Sequence, residues 1–237
     1  MKQTEIQFNM AECCDRAEAL FMEESGVAKE GEKYERMRQA AFAIREEIED
    51  RVCVRGEYAF YDRLELDGKK LTVLSPDGTV AAELECTAFE QLDVYSLEGV
   101  YAYAVTAGDY YLQDRPIMDQ LYADIWGTAF TDAIRAMLVD VIREECRSTK
   151  AGLDLSDSFG PGFYGMDSYE MHKMPLLVDF DCMGMEVKES GVILPLKSCA
   201  GILFRVNHKY EHLNSACELC YGSKKTCSLC SVRRHLI

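Results

Sequence analysis

Val100-Tyr101-Ala102-Tyr103-Ala104-Val105-Thr106-Ala107-Gly108 decides the fold class. Seven residues of β-branched, aromatic and alanine type without a charge make an apolar strand, and Ala107-Gly108 ends it. From about Ile117 to Arg147 the pattern becomes that of one long helix, with Leu121, Ile125, Thr128, Ala129, Ala133, Ala136 and Val141 as inward candidates. Gly127 costs a helix about 1 kcal/mol relative to alanine. The small residues Gly127–Ala129 therefore predict close packing against another backbone.

Toward the N-terminus, Asn9 and Glu12 form a capping box and Gly26 offers a stop, with Met10, Cys14, Ala17 and Phe21 between them at helical spacing. The Cys13-Cys14 pair on this face reads as buried thiol rather than as a ligand set. A second helix carries Tyr34, Met37, Ala41, Ile44 and Ile48 on one stripe. Both helices have the pattern of amphipathic cover for a sheet. From Val52 to Leu84 the pattern is strand, with Tyr58, Phe60 and Leu64 in one segment. Leu71–Leu74, the turn Pro76-Asp77-Gly78 and Thr79–Ala82 make a β-hairpin.

Toward the C-terminus a polar link, Ser148–Ser158, leads to Phe159-Gly160-Pro161-Gly162-Phe163-Tyr164-Gly165. Gly160, Gly162 and Gly165 satisfy G-x-G-x-x-G. A dinucleotide site also needs a buried strand before the glycines and a helix opening at them, and Asp154–Ser158 and Pro175 argue against both. The loop still lets a ligand approach the backbone, with Phe163 and Tyr164 to flank it. Asp167 with Glu170 marks a helix start, restarted at Pro175. Val192–Phe204 then reads as a strand whose Pro195 implies an edge or a bulge. Lys197-Ser198 within it is either a polar pocket wall or a snorkelling lysine.

The 237 residues carry a net charge of −15, which argues against general nucleic-acid binding. No apolar run reaches the ~18–20 residues of a membrane helix. The polar start Met1–Glu5 is not a signal core, so a cytoplasmic location is expected. Eleven cysteines, an odd number, fit that compartment as reduced or metal-bound thiols rather than a disulfide framework.

The last cysteines are spaced for a metal. Cys217-Glu-Leu-Cys220 and Cys227-Ser-Leu-Cys230 can set four thiolates around one centre, either zinc or an iron–sulfur cluster. His208, His212 and His235 are alternative ligands. From Arg205 onward six Lys/Arg face two Asp/Glu, while the rest of the chain holds 20 against 39. These cations offset thiolate charge, or else dock an acidic partner or tune a potential. The organisation expected is a body over 1–206 and a four-cysteine metal-binding tail over 207–237.

Three segments together resemble the activation (reactivation) domain of cobalamin-dependent methionine synthase, and more closely its free-standing relatives. They are Gly99–Gly108 with the long helix, the loop Gly160–Tyr164, and Gly184–Ser190 followed by Pro195-x-Lys197-Ser198-x-Ala200-Gly201. The resemblance implies an α+β fold with a curved, mainly antiparallel sheet and flanking helices. It implies S-adenosylmethionine binding and reductive remethylation of cob(II)alamin, with a corrinoid protein and an electron donor as partners. Gly160, Pro161, Gly162, Phe163, Tyr164, Lys197 and Ser198 would face the ligand or corrinoid, with Tyr210 near a second family aromatic. Ser158 stands where the family places an arginine, which removes a fork-shaped partner for the methionine carboxylate and speaks against S-adenosylmethionine. Cysteine-rich endings among free-standing relatives favour a [4Fe-4S] cluster over zinc, which has no redox chemistry. The expected function is then reductive activation of a corrinoid-dependent methyltransferase. The alternatives are the family's own remethylation and a non-catalytic docking module with structural zinc.

Overall fold

The structure, a computed structural model, describes residues 2–213. Its central sheet has five antiparallel strands in the order β1 (Lys2–Gln7), β2 (Arg55–Tyr61), β6 (Leu97–Gly108), β10 (Lys197–Val206) and β7 (Asp154–Phe159). The apolar strand β6 takes the centre because it can bury both faces: all ten residues from Gly99 to Gly108 are buried. Its tyrosines and alanines divide the core. Tyr101, Tyr103 and Val105 face one apolar layer, and Val100, Ala102 and Ala104 face the other.

The first layer is helical: α1 (Met10–Glu24), α2 (Glu32–Ile48) and α3 (Ile117–Thr149). Asn9 caps α1, its side chain accepting from the Ala11 and Glu12 amides. Cys13, Cys14, Ala17 and Phe21 are buried there, and burial pushes the Cys13 thiol up to about 12, so it stays protonated. Phe21 stacks on Trp126 at 3.9 Å, and the Trp126 indole donates to the Ala41 carbonyl at 2.9 Å. Those two contacts tie the three helices together.

The second layer is a separate antiparallel sheet, β3 (Leu64–Asp67), β4 (Lys70–Leu74) and β5 (Val80–Glu85), with the 3-10 helices Ser168–Leu176 and Asp181–Met183. The β4–β5 hairpin turns at Pro76-Asp77-Gly78 as expected. β8 (Glu186–Val187) and β9 (Ile193–Leu194) pair with each other and pack Val187 and Ile193 onto this second layer. No described helix is long and apolar enough to cross a membrane.

Several expectations need correction. Residues 2–7 form an edge strand, and the supposed link contains β7, also an edge. Edge strands need only one apolar face, so both read as polar chain. Of the inward candidates on α3, Ala129 and Ala133 are buried and Ile125 and Thr128 half-buried, but the rest are not. Leu121, Ala136 and Val141 are exposed, while Trp126, Phe130, Ile134, Leu138 and Ile142 are buried. Val192–Phe204 is not one strand: β9 ends at Leu194 and β10 begins at Lys197, because Pro195 has no amide to donate to a ladder. Gly127 does pack closely, but against the Tyr110 ring and the Lys197 stem rather than a backbone.

Candidate functional site

Beyond Phe159 the loop Gly160–Gly165 folds over the second layer. The Gly162 amide donates to the Met166 carbonyl at 3.0 Å, and that of Phe163 to Gly160 at 2.9 Å. The carbonyls of Tyr164 and Gly165 accept from the Ala88 and Thr87 amides, both at 3.2 Å, so the loop is stitched to the segment after β5. Gly162, at φ 90°, takes a backbone conformation that side chains resist. Gly160 and Pro161 are buried, Phe163 is exposed at the tip, and the Tyr164 ring lies 5.1 Å from that of Phe159. The dinucleotide reading stays excluded for a different reason. A strand does precede the glycines, but it is an antiparallel edge, and a 3-10 helix rather than an α-helix follows.

Beside the loop, Asp157 of β7 gathers the last described residues. It accepts from the Leu213 amide at 2.8 Å and from the Tyr210 hydroxyl at 3.3 Å, with His212 Nδ1 at 2.6 Å. Asp154 accepts from the Tyr210 amide at 3.0 Å. Burial, then the Asp157 charge, push the Tyr210 phenol well above its usual range. Tyr164 and Tyr210 thus belong to one corner. Asp154 and Asp157 were missed because they sit in the stretch that read as a link; Leu155 and Phe159, buried beside them, were the available signal.

Lys197 and Ser198 point to opposite faces of β10. The Ser198 hydroxyl bonds to the Pro195 carbonyl at 2.7 Å and Thr106 Oγ1 at 2.8 Å. Lys197 crosses Gly127 of α3 to reach Asp124 at 2.6 Å and Thr128 at 3.2 Å. Together with Tyr110, Tyr111, Gln120 and Leu196 it lines a cavity of ≈ 210 Å³. The lysine therefore has its partner and its cavity on the helical side, away from Tyr164 and Tyr210.

A third group lies under β7 on that same helical side. Ser158 Oγ is 2.6 Å from the Tyr103 hydroxyl, and the positive charge of Arg135 on α3 lies close enough to favour the Tyr103 phenolate. Arg135 pairs with Asp132 at 3.3 Å. Burial pushes the Tyr103 phenol and the Cys199 thiol each up to about 12. The Tyr103 hydroxyl fits because position 201 is glycine: a Cβ there would sit 2.9 Å from it. Sequence reasoning did not find Arg135, since one arginine on a long charged helix carries no distinguishing pattern.

Cys217, Cys220, Cys227 and Cys230, with His235, lie outside the described residues. Among the described residues no group of three His, Cys, Asp or Glu side chains could hold a metal ion.

With this geometry in hand, the chain is similar to a solved structure, the MetH reactivation domain bound to AdoHcy, at a TM-score of 0.65. The fold is a methionine synthase reactivation-domain fold. The likeness covers 89% of this chain and 81% of that one at 13% identity, a level at which it carries architecture and not residue roles. No protein-family model and no curated protein match the chain.

Proposed function

We propose that the chain docks on a corrinoid-carrying methyltransferase or corrinoid protein and returns inactive cob(II) to cob(I). The carrying observation is the reactivation-domain fold over 89% of the chain. The donor set Cys217, Cys220, Cys227 and Cys230 suits a [4Fe-4S] cluster, which would supply the single electron that takes cobalt from +2 to +1, itself replenished by a separate donor. Position supports this reading. Leu213 is anchored to Asp157 at the loop. Cys217 follows four residues later in the sequence. A second reading, S-adenosylmethionine-dependent remethylation, is favoured by the AdoHcy in the similar structure. Under it the loop Gly160–Gly165 with Phe163, Tyr164 and Tyr210 holds the nucleoside.

Oxygen-free purification followed by iron, sulfide and zinc analysis and electron paramagnetic resonance tests the first reading. We expect four irons per chain, a reducible cluster signal, and growth of the cob(I) absorption when the reduced protein meets cob(II)alamin. Stoichiometric zinc without iron would falsify electron transfer and leave a docking module with a structural metal.

A further inference from the structure

The connection 109–116 between β6 and α3 is pinned from inside. Tyr110 and Leu112 are buried in the helical core, which leaves the alternate residues Tyr111 and Gln113 on the outside. The 3-10 turn Glu49–Arg51, which follows α2, lies against the end of β6. There the Cys53 amide donates to the Ala107 carbonyl at 2.9 Å, and a Cβ at Gly108 would meet the Arg51 carbonyl at 3.0 Å. Turn and connection enclose a cavity of ≈ 470 Å³ lined by Glu47, Arg51, Tyr111, Leu112, Gln113 and Arg115. Tyr111 and Leu112 also line the ≈ 210 Å³ cavity that holds Lys197, so the two cavities share a wall.

In a chain of charge −15 this lining stands out, because two guanidiniums meet one carboxylate. Arg115 pairs with Glu47, and its side chain stays 46% exposed. Arg51 has no hydrogen-bonded or ionic side-chain partner among the described residues, although Glu49 and Asp50 precede it. A guanidinium has five N–H donors in a planar fork that matches phosphate oxygens, and one carboxylate uses few of the ten that two such groups offer. Between the cavities the Tyr111 ring is 64% exposed, an aromatic face free to stack on a planar group.

We propose that this cavity binds a phosphate group carried on a planar ring. Arg51 and Arg115 take the phosphate, and Tyr111 stacks on the ring. The site lies at the Gly108 end of β6, beside the Lys197 end of β10, whereas β7 and its glycine loop pair with β10 from Ile202 onward. It is therefore separate from the loop corner.

Titration of the full chain with flavin mononucleotide and with riboflavin, read by quenching of flavin fluorescence, tests the proposal. The first probe joins a planar ring to a phosphate, and the second is the same ring without it. We expect flavin mononucleotide to bind the tighter by roughly ten- to a hundredfold, the worth of a charge-assisted hydrogen-bonded contact. Arg51→Gln should bring the two affinities together by weakening flavin mononucleotide alone, and Tyr111→Ala should weaken both. Both side chains are exposed, so neither variant removes a core contact. Equal affinities on the unaltered protein overturn the phosphate contact, and failure of both probes to bind overturns the site. Displacement of flavin mononucleotide by S-adenosylhomocysteine would move its binding to the glycine loop and overturn the placement.

Discussion

At the scale of the residue, Gly127 shows one position serving two demands. Helix propensity favours alanine by about 1 kcal/mol. Packing opposes it, because a Cβ would lie 2.6 Å from Tyr110 Cδ2 and 2.7 Å from Lys197 Cγ. The lysine stem can swing away, but the Tyr110 ring is buried and its hydroxyl is bonded to the Ala107 carbonyl. Overpacking of this kind costs about 1–3 kcal/mol, so packing wins. Gly127→Ala should lower stability by about 1 kcal/mol in denaturant unfolding, with Lys197 displaced from Asp124. A variant as stable as the parent, or more so, would show that the helix-side cavity relaxes freely. Gly127 was legible in the sequence as a close-packing site. Its partner was not, because nothing in the local pattern says that a lysine 70 residues away lies across it.

At the scale of elements, the strongly patterned pieces were legible: β6, the β4–β5 hairpin, the three helices and the capped start of α1. Strands β1 and β7 were not, because an edge strand buries one face and spends its polar side chains on capping and anchoring, as Asp154, Ser156 and Asp157 do. The stripe of α3 was only partly legible: Ala129 and Ala133 are buried as expected, but packing on two helices and a sheet also buries Trp126, Phe130, Ile134 and Leu138 and leaves Leu121, Ala136 and Val141 outside. Contacts between elements were out of reach altogether. Glu57 of β2 is buried under the Asp181–Met183 turn, where the exposed Cys182 thiol donates to it at 2.5 Å. Burial raises the Glu57 pKa, helped by the charges of Asp179 and Glu5 and opposed by the Cys182 bond. The folded chain therefore holds this proton longer than the unfolded one. Stability from this group is full below the ordinary carboxylate range and falls as pH rises through it, until the folded carboxyl ionises as well. Glu57→Gln should consequently unfold at higher denaturant than the parent at neutral pH, with the gap closing in acid. A gap that is constant with pH would mean the charge of Glu57 is already compensated.

At the scale of the whole molecule, the two apolar layers on either side of the central sheet are built from residues 2–213. Among the described residues Tyr210 and Leu213 are the last side chains packed on the second layer, and Asp154 and Asp157 tie down their backbone. Charge follows the same division: the chain from Arg205 onward has a cationic excess, and the remainder is strongly acidic. Because the described residues 2–213 already form both apolar layers, we propose that metal binding by the four cysteines and folding of these residues are separable. Structural zinc modules often gain most of their folding energy from the metal; here that gain would be confined to the segment itself. A chain ended after Leu213 should therefore unfold within about 1 kcal/mol of the full chain, the range of changes away from buried features. The same chain should retain no bound iron or zinc, and lose cob(I) formation while keeping any nucleoside affinity. Chelation of the metal from the full chain should match it on each count. Collapse of the shortened chain, or metal retained by it, would instead place the metal site within the folding unit of the body.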